Sequence, residues 1–202
     1  MFILSLQSMI TRYRGINLGG NKIKQLNAEE LMSYFPEEQL YLAAYSQWSI
    51  LATMYAEILH LEQSLLKQLK IDKRFNCIKS LPGIGEILGM TILLESGPMD
   101  RFDEAGNYAS YCRCVNSKRI SNGKKKAENN RKNGNKYLAW AFIEAANHAI
   151  YSYSDITRYY QKKLSKTCRV VALKTVANKL ARACFYVLKN TEEFEMKKAF
   201  VC

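Results

Sequence analysis

A run of cations surrounds a hydroxyl near the middle of this 202-residue chain: Ser117-Lys118-Arg119-Ile120-Ser121-Asn122-Gly123-Lys124-Lys125-Lys126, then Arg131-Lys132-Asn133-Gly134-Asn135-Lys136. Residues 112–137 hold nine basic residues against one acid, Glu128, a net charge of +8. The whole chain carries +12; residues 138–202 contribute +6 from eleven basic and five acidic residues, and residues 1–111 sit at −2. So local an excess fits a phosphate backbone, and a solvated surface loop is the plainer alternative. A serine hydroxyl in such a field could attack phosphorus. Cations would stabilise the charge on the attacked group, but a base or a metal must still take the proton. On residue chemistry alone Ser121 is equally a polar turn residue.

A second group of residues could hold phosphate without touching a base. In Cys77-Ile78-Lys79-Ser80-Leu81-Pro82-Gly83-Ile84-Gly85-Glu86-Ile87-Leu88-Gly89, Pro82 should end one helix, Gly83 can take positive φ, and Ile84 should plug a shared core. Gly85 would then open a second helix whose amides and dipole accept an anion. This is a helix-hairpin-helix pattern, and Gly89 would allow close helix packing. A purely structural helical hairpin satisfies the same residues.

Other chemistries lack parts. Cys112-Arg-Cys114 has one residue between thiols where zinc knuckles need at least two, and His60 and His148 lie far apart in sequence. No metal site is expected in this chain, and the six cysteines read as free, partly buried thiols of a reducing cytosol. No run approaches the roughly 18 apolar residues of a membrane span, and Met1-Phe2-Ile3-Leu4-Ser5-Leu6 lacks a basic leader.

Helices must position these residues. Gly 10 and Pro 3 are low for the length, which favours an all-α chain over a sandwich. Residues 1–36 show no sustained period. From Pro36, with Glu37 and Glu38 at the positive end of the dipole, a long helix follows, taken over 37–75. Ala44, Leu51, Ile58 and Leu65, with Gln47, Met54, Leu61 and Gln68 at the offset position, form a coiled-coil-like seam. It wants a partner helix, either from a second chain or from its own domain. Asp103–Tyr111 reads as a short helix, and 115–133 as a loop. Leu138, Phe142, Ala145 and Ala149 mark a helix face, as do Leu173, Val176, Leu180, Cys184 and Val187 later. Tyr151, Tyr153, Tyr159 and Tyr160 interleave with Arg158, Lys162 and Lys163, a mixture that suits helix packing better than base stacking.

Leu81-Pro-Gly-Ile-Gly85, Ala109-Ser-Tyr111, Ser121-Asn-Gly-Lys124 and Lys132-Asn-Gly-Asn135, in that order and spacing, together with the helix from Asn135 to Asn147, resemble the carboxy-terminal domain of a bacterial insertion-sequence transposase. The family is the IS-one-ten type, which includes Piv-like invertases, and the resemblance runs over about residues 37–190. It implies a two-part enzyme: a RuvC-like amino-terminal domain whose four acids bind divalent metal, then a coiled coil, then a transposase domain with a nucleophilic serine. Ser121 matches that serine, with Ser117 as the alternative under a small shift. Attack would leave a covalent phosphoserine link to DNA.

The organisation expected is therefore an amino-terminal remnant over 1–36, a coiled-coil-like helix over 37–75, the transposase domain with its helix-hairpin-helix over 76–190, and a tail over 191–202. Residues 1–36, with Glu29 and Glu30 as their acids, do not supply the acidic quartet, so a truncated copy is expected. Magnesium belongs to the missing domain in this reading, and no cofactor is expected on the chain itself. Gly83, Ile84, Gly85, Lys118, Arg119, Lys124, Lys125, Lys126, Arg131, Lys132 and Lys136 are the expected DNA contacts. A cytoplasmic, nucleoid-associated protein that pairs through its long helix is expected, with DNA as partner and a guide RNA left open. The competing reading is a non-catalytic nucleic-acid-binding module.

Overall fold

Leu6 and Ile10 lie one turn apart and both are fully buried, so the amino-terminal segment folds as helices around them. The computed structural model describes residues 1–115, 118–128 and 133–200, and for residues 118–121 and 125–128 the backbone alone. Two compact units divide at Ser64/Leu65.

In the first unit, α1 (Phe2–Arg14), α2 (Gly20–Gln25) and α3 (Ala28–Tyr34) precede the long helix α4 (Glu38–Leu69). Gly15 ends α1 at φ 68, donating its N–H to the Thr11 carbonyl. Asn27 and Glu30 form a reciprocal capping box that opens α3. Leu6, Ile10, Ile23, Leu26, Leu31, Phe35 and Ala44 make the core. Arg14 reaches the Tyr34 carbonyl and pairs with Glu37 at 2.5 Å, and Trp48 Nε1 donates to the Leu26 carbonyl at 2.9 Å. The sequence showed no period here because α2 and α3 are six and seven residues long, too short to display one.

Helix α4 runs 32 residues and stops at Leu69, short of the expected 75, because Asp72 caps a new helix with its carboxylate on the Arg74 N–H. The expected seam divides along its length. Ala44 is buried and Leu51 packs on the first core, while Leu65, Leu66 and Leu69 pack on the core of the second unit. Between these ends Met54, Ile58 and Leu61 stand 53%, 47% and 59% exposed.

The second unit contains α5 (Lys73–Lys79), α6 (Glu86–Ser96), a 3-10 turn (Met99–Arg101), α7 (Ala105–Tyr111), strands β1 (Lys118–Ser121) and β2 (Lys124–Glu128), α8 (Lys136–Ser152), α9 (Ser154–Leu164), α10 (Arg169–Asn190) and α11 (Met196–Ala199). The expectation of an all-α fold holds, with one local difference. The strands pair antiparallel, Lys118 with Glu128 and Ser121 with Lys124, where a loop was expected over 115–133. Asn122 and Gly123 take φ 55 and 70, the two positive angles that a two-residue turn with right-handed strand twist requires.

Tyr108, Phe142, Leu180, Ala181 and Phe185 sit at the centre of the core, and Tyr108 Oη lies 2.7 Å from the buried Ser96 Oγ. Leu138, Phe142, Ala145 and Ala149 are fully buried along α8, as expected. On α10 Val176, Leu180, Cys184 and Val187 are buried and Leu173 packs beside them. Tyr160 is buried and Tyr159 stacks edge-on to Phe200, whereas Tyr151 and Tyr153 are exposed. Cys77, Cys112, Cys114 and Cys184 are free and buried, Cys168 is free and exposed, and Cys202 lies outside the described residues. Among the described residues no helix is long and apolar enough to cross a membrane.

Candidate nucleic-acid interface

The turn between α5 and α6 divides its three expected contact residues between two jobs. Gly83 has φ 77, and a Cβ there would lie 2.1 Å from the Ala145 carbonyl oxygen and 3.1 Å from the Ala149 amide. Its lack of a side chain therefore lets the turn approach the backbone of α8. Ile84 is 7% exposed and fills the core, as expected of it. Gly85 caps α6, and nothing lies within 4 Å of where its Cβ would be. Only this third position faces open space. Gly89 lets Phe75 of α5 approach to 3.3 Å of the Cβ position. Glu86, the first residue of α6, is approached by Lys70 at 3.9 Å and Lys79 at 4.0 Å, so cations from α5 and its leading turn offset its charge at the helix mouth.

The basic segment is organised by its hairpin. Lys118, Arg119 and Ser121 lie on β1; Lys124, Lys125 and Lys126 lie on β2, with Lys124 exposed beside the turn. Ser121 is the last residue of β1 and the cross-strand partner of Lys124. Register shifts between Arg119 and Ile120. Ser117, Arg131 and Lys132 lie outside the described residues.

The residues that flank the hairpin are held together by the Ala109–Tyr111 and Lys132–Asn135 motifs and by two side chains that the sequence did not single out, Arg113 and Glu95. Arg113, at φ 56, donates from Nε to the Asn133 carbonyl at 2.8 Å and from Nη2 to the Gly134 carbonyl at 3.0 Å. The Asn135 amide donates to the Tyr111 carbonyl at 2.7 Å. Asn135 then caps α8, its Oδ1 accepting from the Tyr137 and Leu138 amides, while its Nδ2 donates to Glu95 Oε2 at 2.5 Å. Gly134, at φ 79, allows the crossing, since a Cβ would meet the Tyr111 carbonyl oxygen at 2.5 Å. Hydrogen bonding with Asn135, and next with Arg101, holds the Tyr111 phenol below its ordinary range. The chain leaving α7 and the chain entering α8 are thereby tied to each other. Lys136 follows as the first, exposed residue of α8, its Nζ 4.8 Å from the Tyr137 ring centroid.

Helix α8 carries both features. Lys136 marks its start and Ala145 meets the Gly83 turn, a separation of roughly 13 Å along the axis at 1.5 Å per residue. Among the described residues no three His, Cys, Asp or Glu side chains converge to hold a metal ion.

Residues 75–161 match the family described as Transposase IS116/IS110/IS902 family. The match runs from α5 into α9 and contains the Gly83 turn, the hairpin and its root. No curated protein matches the chain.

Proposed function

We propose that this chain, whose residues 75–161 match the IS116/IS110/IS902 transposase family, is the carboxy-terminal part of such a transposase, grips DNA through its cationic hairpin and the mouth of α6, and carries the serine that forms the covalent link during strand exchange. The observation that carries this reading is the position of Ser121. It ends β1 against an Asn122-Gly123 turn, opposite Lys124, in a segment of net charge +8 on whose two flanks Arg113 is hydrogen-bonded to Asn133 and Gly134. A nucleophile on a short, anchored hairpin loses less freedom on reaching phosphorus than one on a loose loop.

The step is a transesterification. Ser121 Oγ forms a bond to phosphorus as the bond to one backbone oxygen breaks, and that oxygen leaves with the departing strand end. Lys118, Arg119 and Lys124–Lys126 supply the charge that offsets the phosphorane. The hydroxyl proton needs an acceptor, which in the family's two-part plan comes from the acidic, metal-binding domain. Reversal onto a new strand end restores the serine, so the phosphodiester energy is conserved. A second copy would pair through the exposed Met54, Ile58 and Leu61 stripe of α4, which supports a homo-oligomer.

The test is trapping. With a family amino-terminal domain supplied in trans, denaturing electrophoresis should show a protein–DNA adduct that Ser121→Ala abolishes and Ser117→Ala preserves. The opposite pattern moves the nucleophile, and binding without any adduct leaves the non-catalytic module as the correct reading.

A further inference from the structure

Between Asp155 and Glu192 the chain has nine basic residues and no acid. Most of this run lies beyond the segment that the family match covers, and it forms the corner where α9 turns into α10. Lys162, Lys166 and Arg169 are exposed there, and Lys163 is half-buried with its Nζ 5.6 Å from the Tyr159 ring centroid. None of these four side chains forms an ion pair among the described residues, whereas Arg158, one turn earlier, faces Asp155 at 4.0 Å.

The corner is electrostatically unbalanced for the folded chain alone. Lys162 and Lys163 sit in the last turn of α9, where cations are favourable. Lys166 and Arg169 instead flank the start of α10, whose first turn has no acid and whose Cys168 cap makes no side-chain hydrogen bond. Positive charge is thus added where the dipole of a 22-residue helix is already positive. Neighbouring phosphates would relieve this repulsion.

The first half of α10, which continues from this corner, also adjoins the residues that precede the hairpin. A groove of about 260 Å³ is lined by Cys114 and Val115, which follow α7, and by Val171, Lys174, Thr175 and Asn178 of α10. Asn178 Nδ2 donates to the Cys114 carbonyl at 3.4 Å, so the first half of α10 flanks the chain leaving α7.

We propose that the α9–α10 corner, through Lys162, Lys166 and Arg169, is a second backbone-contact surface that holds duplex DNA continuing outward from the segment gripped by the hairpin. It rests on the DNA-binding reading above, yet it names a separate surface and is separately testable. Duplex fits better than single strand because the corner offers spaced cations and little exposed aromatic surface of its own. Tyr159 and Tyr160, the aromatic residues within it, are packed inward.

The experiment uses the full chain and duplexes of two lengths, with Lys162→Ala/Lys166→Ala/Arg169→Ala, Lys124→Ala/Lys125→Ala/Lys126→Ala and Lys197→Ala/Lys198→Ala measured in parallel. The corner variant should lose about 2 to 3 units of log–log salt slope, at ~0.9 per phosphate contact. Its affinity for the longer duplex should fall at least about tenfold near 0.15 M salt, and its footprint should shorten from one side. Its unfolding temperature should equal or exceed the parent's. The charge-retaining Lys162→Arg/Lys166→Arg/Arg169→Lys should bind as the parent does, which separates loss of charge from loss of fold. Parent-like slope and affinity in the corner variant overturn the proposal, as does a defect that the charge-retaining variant shares or one confined to an RNA probe of equal length. Parent-like binding by the Lys124–Lys126 variant would instead remove the hairpin grip and leave the corner standing.

Discussion

Replacing Gly83 and Gly85 separately by alanine should split one motif into a packing residue and a contact residue. At Gly83 two costs add. An L residue at φ 77 loses roughly 1–2 kcal/mol to the left-handed conformation. The new Cβ, placed 2.1 Å from the Ala145 carbonyl oxygen, must also retreat by more than 1 Å to reach ordinary contact. Both groups are backbone, so no side chain can swing aside. The turn must lift off α8, loosening Leu81 and Ile84 from the core, and overpacking of this kind costs ~1–3 kcal/mol. Together the loss is roughly 2–5 kcal/mol, which for a unit of this size lowers the melting temperature by about 10 to 20 °C. Gly85→Ala meets nothing within 4 Å and has φ −94, which alanine adopts, so its stability should fall by no more than about 1 kcal/mol, the cost of alanine in place of glycine at a helix N-cap. Its methyl group would stand at the open mouth of α6 and should weaken duplex binding at least about fivefold, since phosphate must come within hydrogen-bond reach of the amides there. Thermal melts and DNA titrations of both variants give the answer. A Gly83→Ala protein as stable as the parent refutes the packing argument, and a Gly85→Ala protein that binds normally refutes the phosphate contact at this turn.

Three further outcomes are expected. Ile58→Asp with Leu61→Asp should convert an associated species to a monomer in sedimentation without unfolding either core, because both positions are exposed within the chain; a parent that already sediments as a monomer removes that claim. Gly134→Ala should displace the Tyr111 carbonyl and cost ~2–3 kcal/mol, releasing the hairpin root and reducing adduct formation more than simple binding; equal loss of the two would argue against a positioning role. Burial pushes the Cys114 and Cys184 thiols up to about 12 from an ordinary 9.0, so the stability they contribute is fully present below pH 9 and is lost as pH rises toward 12. In a Cys202→Ser background the native protein should therefore show one rapidly reacting thiol, Cys168, and a native-state reaction at Cys114 or Cys184 would contradict their burial.

Helical class, the buried faces of α8 and α10, the charge of the central segment and the free state of the thiols could all be read from the chain. Each depends on composition or on a spacing of a few residues. The hairpin was legible as well, since Asn122-Gly123 between short runs is a strong turn signal, but its low apolar content made it read as a loop. The Asn27–Glu30 box was likewise present for anyone looking for caps.

What tertiary structure decided is which face of each motif is used. Gly83 serves α8 and Gly85 faces open space because Ala145, far along the chain, occupies one side of the turn. The seam of α4 is covered at Ala44 and at Leu65 but bare at Ile58, because the coverage comes from other helices. Arg113 becomes the anchor of the hairpin because folding brings Asn133 and Gly134 back to it, closing a loop whose ends carry no mutual signal. A local pattern states what a residue is able to do, and only packing against distant chain determines which of its surfaces remains free to do it.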